Sequence, residues 1–135
     1  MANPDIKEML TKYKNIAVVG LSPDPSKPSH GVAAYLKRVG YRIIPVNPSC
    51  QQDILGEHCY PTLADIPDQV DIVDVFRRSE HLPEIVDQSI AKGAKVVWMQ
   101  EGVINEAAAA KAEAAGLDVV MDRCLLKEHG KMVSR

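Results

Sequence analysis

Three features of this 135-residue chain predict an α/β fold, a doubly wound sheet of five mainly parallel strands with helices on both faces. Short β-branched runs alternate with segments of helical spacing, the runs are almost continuously apolar, and three of the helical segments end in a glycine. Alternating strand and helix is the pattern of linked βαβ units. Unbroken apolar runs are what strands require when helices cover both faces, because no side chain then points to water. The length suits one domain over residues 1–135, with a core large enough to need no metal or disulfide.

The elements follow in order. Ile6, Met9, Leu10 and Tyr13 give an opening helix one apolar stripe, with Asn3 placed as its N-cap. Strands are expected over 16–19, 42–46, 70–76, 94–99 and 117–121. Val32, Ala33, Leu36 and Val39 make a helix closed by Gly40. Leu82, Ile85, Val86 and Ile90 make another closed by Gly93, and an alanine-rich run over 105–115, with Asn105 as N-cap, is closed by Gly116. Such glycines suit the left-handed conformation that ends helices. Residues 49–69, with Gly56, Pro61 and Pro67, read as a loop, a short extended piece and one helical turn over 62–66. No internal repeat or linker is visible. Right-handed crossovers give the expected Rossmann-like strand order 3-2-1-4-5, with a ligand crevice at the carboxyl ends of the strands.

Composition narrows the partners. A formal charge of −2 supplies no basic field for nucleic acid. No apolar run reaches the roughly 20 residues that span a bilayer, and the first residues lack a cationic and apolar signal region, so the expected setting is the cytoplasm, away from membranes. Cys50, Cys59 and Cys124 are odd in number and form no C-x-x-C pair, which reads as reduced thiols. His58 with Cys59, and Cys124 with His129, lack the regular spacing of structural zinc sites, and no metal is expected.

The most informative stretch, residues 18–32, runs from a buried strand through a loop stiffened by Pro23, Pro25 and Pro28 into a helix. Helix-start N–H groups, the helix dipole, the Ser22 and Ser29 hydroxyls and Lys27 can converge there on a phosphate. Ser29 also fits as the N-cap of that helix. His30, in its first turn, can donate to a phosphate or ribose or stand in solvent. Only Gly20 is present where G-x-G-x-x-G needs three glycines, and no G-K-[ST] follows. Asn47, followed by Pro48, stands where a classical NAD domain carries an acid for the ribose hydroxyls. Ordinary NAD and ATP sites are therefore disfavoured. A guanidinium can grip a phosphate through two parallel N–H contacts, so one of Arg77 and Arg78 is assigned to a phosphate and the other to solvent. Glu101 can accept from a ribose hydroxyl or amide of the ligand or shape its turn, the latter favoured. Asp122 and Arg123 can form a local ion pair. Cys124 can face the ligand's thiol end or, as favoured, sit buried as a small residue. A nucleophile elbow lacks its second glycine here, and a phospho-receiver lacks its carboxylates at the end of the first strand.

Taken together and in order, several segments resemble a known family. They are Val19-Gly20-Leu21-Ser22-Pro23 with Pro28-Ser29, Gly40-Tyr41 leading to Ile44-Pro45-Val46-Asn47-Pro48, and Val73-Asp74-Val75-Phe76-Arg77-Arg78. Trp98-Met99-Gln100-Glu101-Gly102 and Met121-Asp122-Arg123-Cys124 with Glu128-His129 complete the set. The chain resembles the small stand-alone CoA-binding proteins, whose domain is similar to the N-terminal CoA-binding domain of the succinyl-CoA synthetase alpha subunit. The resemblance implies coenzyme A, or an acyl-CoA, bordered by Gly20, Leu21, Ser22 and Pro23 and by Met99, Gln100 and Glu101. The synthetase lysine after its second strand has no counterpart over 47–51, and its proline-rich turn after the third strand is replaced by Phe76-Arg77-Arg78-Ser79. A pyrophosphate with a 3′-phosphate calls for several spaced donors, which Lys27 and the two arginines can supply. The expected function is a non-catalytic module that binds, carries or senses CoA and can serve a protein partner the sequence does not identify. The alternatives are an enzyme acting on a CoA thioester and an NAD-binding regulator.

Overall fold

Five parallel strands, β1 (Asn15–Val19), β2 (Arg42–Val46), β3 (Ile72–Val75), β4 (Val96–Met99) and β5 (Asp118–Val120), form one sheet in the computed structural model, which describes residues 5–133. The architecture is the Rossmann-like α/β sheet expected, and its strand order is β2-β1-β3-β4-β5. β3 thus lies between β1 and β4, and not outside β2 as the order 3-2-1-4-5 places it. The cause is local to β2. Pro45 pairs opposite Val18 of β1 and has no N–H to offer a second neighbour, so β2 suits an edge. β3, buried along its whole length, suits the interior.

Residue parity divides the core into two layers. Ala17, Val19, Ile44, Val46, Val73, Val75, Val97 and Met99 face α3 (Leu82–Lys92), α4 (Glu106–Ala114) and a short 3-10 turn over Leu63–Asp65. Ile16, Val18, Ile43, Ile72, Val96, Trp98 and Val120 face α1 (Ile6–Lys12), α2 (Pro28–Arg38) and α5 (Leu125–Val133). Trp98 is fully buried, and its indole N–H donates to the carbonyl of Arg123 at 2.8 Å, which fixes the chain after β5.

The caps are partly as expected. Asn105 accepts from the Ala108 N–H at 2.9 Å, and Gly93 ends α3 with φ +80°. Asp5 caps α1 by accepting from the Glu8 N–H at 3.1 Å, whereas Asn3 lies outside the described residues. In the irregular segment, the Asp65 carboxylate accepts from both the N–H and the hydroxyl of Thr62, closing the helical turn anticipated there. α5 is an element that the sequence reading did not anticipate. Its apolar stripe of Leu125, Leu126, His129 and Met132 is short and interrupted by Gly130.

The cysteines require a correction. Cys50 and Cys59 form a disulfide, their Cα atoms 6.2 Å apart. They meet because the chain reverses at Ile54–Glu57, through Leu55 at φ +55° and Gly56 at φ +77°, a turn that cysteine spacing does not reveal. Cys124 is the free thiol, half-buried against the α1/α2/α5 layer.

Candidate ligand site at the carboxyl edge of the sheet

The strands deliver five loops to one edge, where backbone bonds hold them in order. Gly20 N–H donates to Val46 O and Phe76 N–H to Val19 O, both at 2.8 Å. Asn47 adds a cross-tie, its side-chain amide donating to Leu21 O at 3.1 Å while its Oδ1 accepts from the Ser49 N–H at 2.9 Å. The loops after β1, β2 and β3 therefore form one wall. Gly20 is its closest approach, at φ +90°, with the Phe76 carbonyl and the aliphatic stem of Arg77 directly over it.

A groove of about 420 Å³ opens beside this wall on the α3 side. Val19, Val46, Pro48 and Pro61 supply apolar surface, Thr62 a hydroxyl and Arg77 a cation. The Arg77 guanidinium can pair with an anionic group there, with the Glu84 carboxylate of α3 on the same lining opposing it. Arg77 and Arg78 part company here. Arg77 is half-buried and lines the groove, whereas the Arg78 side chain is 86 % exposed and its nearest carboxylate among the described residues is Glu80, at 4.0 Å.

The loop after β1 is built around its own hydroxyls. Ser29, buried, accepts from the Ser22 N–H at 3.0 Å, so its side chain is turned into the loop and is not the N-cap of α2. Lys27 is the N-cap residue and is exposed. Ser22 Oγ accepts from the Asp24 N–H, and the Asp24 carboxylate accepts from the N–H and hydroxyl of Ser26. These bonds from Ser26 hold the Asp24 carboxyl below its ordinary pKa. Ser22 and Ser29 both act here as acceptors, and only Ser22, which is half-buried, keeps a hydroxyl proton near the surface. Pro23 is exposed and His30 half-exposed beside them.

The turn after β4 differs from expectation in what its side chains do. Met99 is fully buried in the α3/α4 layer and Gln100 is 5 % exposed, and their carbonyls already accept from the Arg123 and Val103 N–H groups, so of the three expected residues only Glu101 is exposed at the edge. Gln100 reaches inward, its amide donating to Asp74 Oδ1 at 2.6 Å. The expected Asp122–Arg123 pair is replaced: Asp122 accepts from the Gly102 N–H at 2.8 Å, and Arg123 reaches Glu128 at 3.7 Å. Asp122, at φ +61°, therefore fastens the turn that Glu101 was expected to shape. Glu101 instead accepts from Lys127 through both oxygens at 3.1 Å, which raises the lysine pKa and offsets a negative charge at the edge.

Asp74 is the residue sequence reasoning passed over. It sits mid-strand on β3, fully buried, and its Oδ2 has no partner. Burial raises its pKa to about 7, opposed by the Gln100 hydrogen bond. Its one sequence signal is an acid inside an apolar run. His129, by contrast, packs as core, 2.7 Å from the Tyr35 hydroxyl and edge-on to Tyr35 and Tyr41, with its pKa lowered by burial and then by Lys14. Among the described residues no three His, Cys, Asp or Glu side chains gather as metal ligands, and no helix is long and apolar enough to cross a membrane.

The chain is thus a Rossmann-like α/β domain with a proline-walled, arginine-flanked groove at the carboxyl edge of its sheet, the edge where such folds place ligands. Comparison with known proteins narrows this: residues 14–130 match the family described as CoA binding domain, and the chain belongs to it. It is 42 % identical over 132 residues to the uncharacterized protein YneT of Bacillus subtilis, covering 96 % of this chain and 97 % of that one. It is 35 % identical over 94 residues to acetate–CoA ligase [ADP-forming] II of Archaeoglobus fulgidus, covering 68 % of this chain and 14 % of the ligase. Among solved structures, a hypothetical protein from Pyrococcus horikoshii OT3 superposes with a TM-score of 0.93 at 44 % identity, covering 99 % of this chain and 94 % of that one.

Proposed function

We propose that this chain binds coenzyme A or an acyl-CoA at the carboxyl edge of its sheet, as a non-catalytic cytoplasmic module that carries or senses the ligand. The observation that carries the reading is the convergence of Pro48 and Arg77 on one groove beside Gly20, in a domain whose family is CoA-binding. In this reading the base packs between Pro48 and Pro61, and Arg77 takes a phosphate. The Ser22 hydroxyl, with Lys27 and His30, meets further phosphate or ribose oxygens, while Ser29 holds the loop from beneath. The turn that Glu101 exposes, with Met99 and Gln100 beneath it, borders the pantetheine arm. Arg78 stays in solvent.

Calorimetric titration with CoA, dephospho-CoA and NAD tests the proposal. CoA is expected to bind in the micromolar range, about −8 kcal/mol, and NAD more weakly. Arg77→Ala is expected to weaken CoA binding by about 1.5–3 kcal/mol, the range for a charged hydrogen bond, and Arg78→Ala by less than about 0.5 kcal/mol. No heat and no thermal stabilisation with millimolar CoA would sink the reading. Release of free CoA from acetyl-CoA by the purified chain would overturn its non-catalytic part.

A further inference from the structure

The Cys50–Cys59 disulfide joins the two segments that wall the groove. Pro48 lies two residues before Cys50 and Pro61 two residues after Cys59, and both line the groove. Hydrogen bonds connect the crosslink to the site. Cys50 N–H donates to Asn47 O at 3.1 Å, Asn47 N–H to Tyr60 O at 3.0 Å, and Tyr60 N–H to Pro45 O at 3.0 Å. Asn47 is also the residue whose side chain ties this wall to Leu21 of the loop after β1. The bridge therefore stands one hydrogen bond from the residue that couples two site loops.

The far end of the bridged loop has its own anchors. Ile54 is buried at 2 % exposure, and Lys37 of α2 holds the Leu55 carbonyl and the Glu57 carboxylate. Those contacts do not involve the disulfide, which constrains the base of the loop, beside Pro48 and Pro61. The two sulfurs differ in access. Cys59 is buried at 7 % exposure, whereas Cys50 is half-buried in a segment whose neighbours Ser49, Gln51 and Gln52 are exposed.

We propose that Cys50 and Cys59 form a reversible thiol–disulfide site that sets the affinity of the groove, tight when closed and weak when open. The inference rests on the CoA reading for the identity of the ligand. A dithiol, either a small molecule or a protein, is the reductant. One of its thiolates attacks Cys50 Sγ, the Cys50–Cys59 bond breaks and Cys59 leaves as thiolate. The second thiol of the reductant then displaces Cys50, so the reductant becomes a disulfide and the two cysteines take up its two protons. Disulfides in reducing compartments are usually transient and redox-sensing, which fits this placement better than a purely structural staple. Closed, the bridge pre-orders the groove wall. Open, that ordering must be supplied at each binding event.

The test uses S-methyl-CoA, a thioether that cannot itself reduce the protein, titrated into oxidised and dithiothreitol-reduced chain. Thiol counting under native conditions should give one free thiol before reduction and three after. The reduced protein is expected to bind about five- to tenfold more weakly. Cys50→Ser and Cys59→Ser, with fold checked by circular dichroism, should bind like the reduced form whether or not reductant is present. Equal affinity in the two states overturns the inference while leaving the CoA reading intact, as does a count that stays at one thiol or starts at three. No binding in either state, with the count moving from one to three, brings down the CoA reading and the affinity claim with it.

Discussion

Replacing Gly20 by alanine is expected to remove ligand binding and about 2–4 kcal/mol of stability together. A Cβ there would stand 2.5 Å from the Phe76 carbonyl oxygen, closer than real Cβ atoms come to other atoms, and 3.0 Å from Arg77 Cδ. The φ of +90° adds the strain of a conformation that L side chains rarely adopt, of the order of 1–2 kcal/mol. The Arg77 side chain can shift, but the Phe76 carbonyl cannot do so cheaply, because the Phe76 N–H is bonded to β1. The control is Gly130→Ala in α5, where nothing lies within 4 Å of the added methyl and φ is ordinary. It is expected to be neutral or stabilising by up to about 1 kcal/mol. Urea unfolding and CoA titration of both variants check this. A Gly20→Ala protein with parental stability and affinity would show that the loops after β1 and β3 do not meet as described.

The second large effect is a pH dependence centred on Asp74. Its carboxyl titrates near 7 in the fold, against an ordinary value of 3.8, because it is fully buried and only Oδ1 has a partner. The folded state therefore holds this proton more tightly than the unfolded chain. The contribution is fully present below about pH 3.8 and is lost as pH rises toward 7. About three pKa units correspond to about 4 kcal/mol. Asp74→Asn removes the titration while keeping a carbonyl oxygen for the Gln100 amide. Relative to the parent, the variant should gain about 4 kcal/mol between pH 4 and pH 8. Its unpartnered amide costs about 1–3 kcal/mol at all pH values, so it should be the less stable protein in acid and the more stable one above neutrality. Denaturant midpoints at several pH values decide the matter. Parallel curves for variant and parent would mean that Asp74 keeps its ordinary pKa in the fold.

Much of the architecture was legible because its signals are local. Apolar runs marked the strands, helical spacing marked α2 and α3, and Asn105 and Gly93 took the capping roles that their side chains suit. The strand order was less so, although Pro45 carried a readable sign that β2 belongs at an edge. α5 was missed because a nine-residue stripe broken by Gly130 resembles a loop until Trp98 and the α1/α2 layer lie beneath it. At the site, the positions gathered at the carboxyl edge follow from chain topology, whereas the directions of their side chains do not. Met99 and Gln100 look like contact residues in a row of letters and prove to be turned into the interior. Ser29 was compatible with a helix cap and bonds Ser22 instead.

The sequence by itself determined the class of fold and which loops gather at the carboxyl edge of the sheet. Each of these depends on periodicity, on strand-to-helix junctions and on the right-handedness of crossovers, which are properties of short stretches of chain. Only the tertiary structure decided that Arg77 lines the groove while Arg78 faces water, that Cys50 reaches Cys59, and that Asp74 is a buried acid with one oxygen unpartnered. Neighbouring residues such as Arg77 and Arg78 share one local sequence context, and what separates them is the packing on either side of the chain, supplied by residues far away along it.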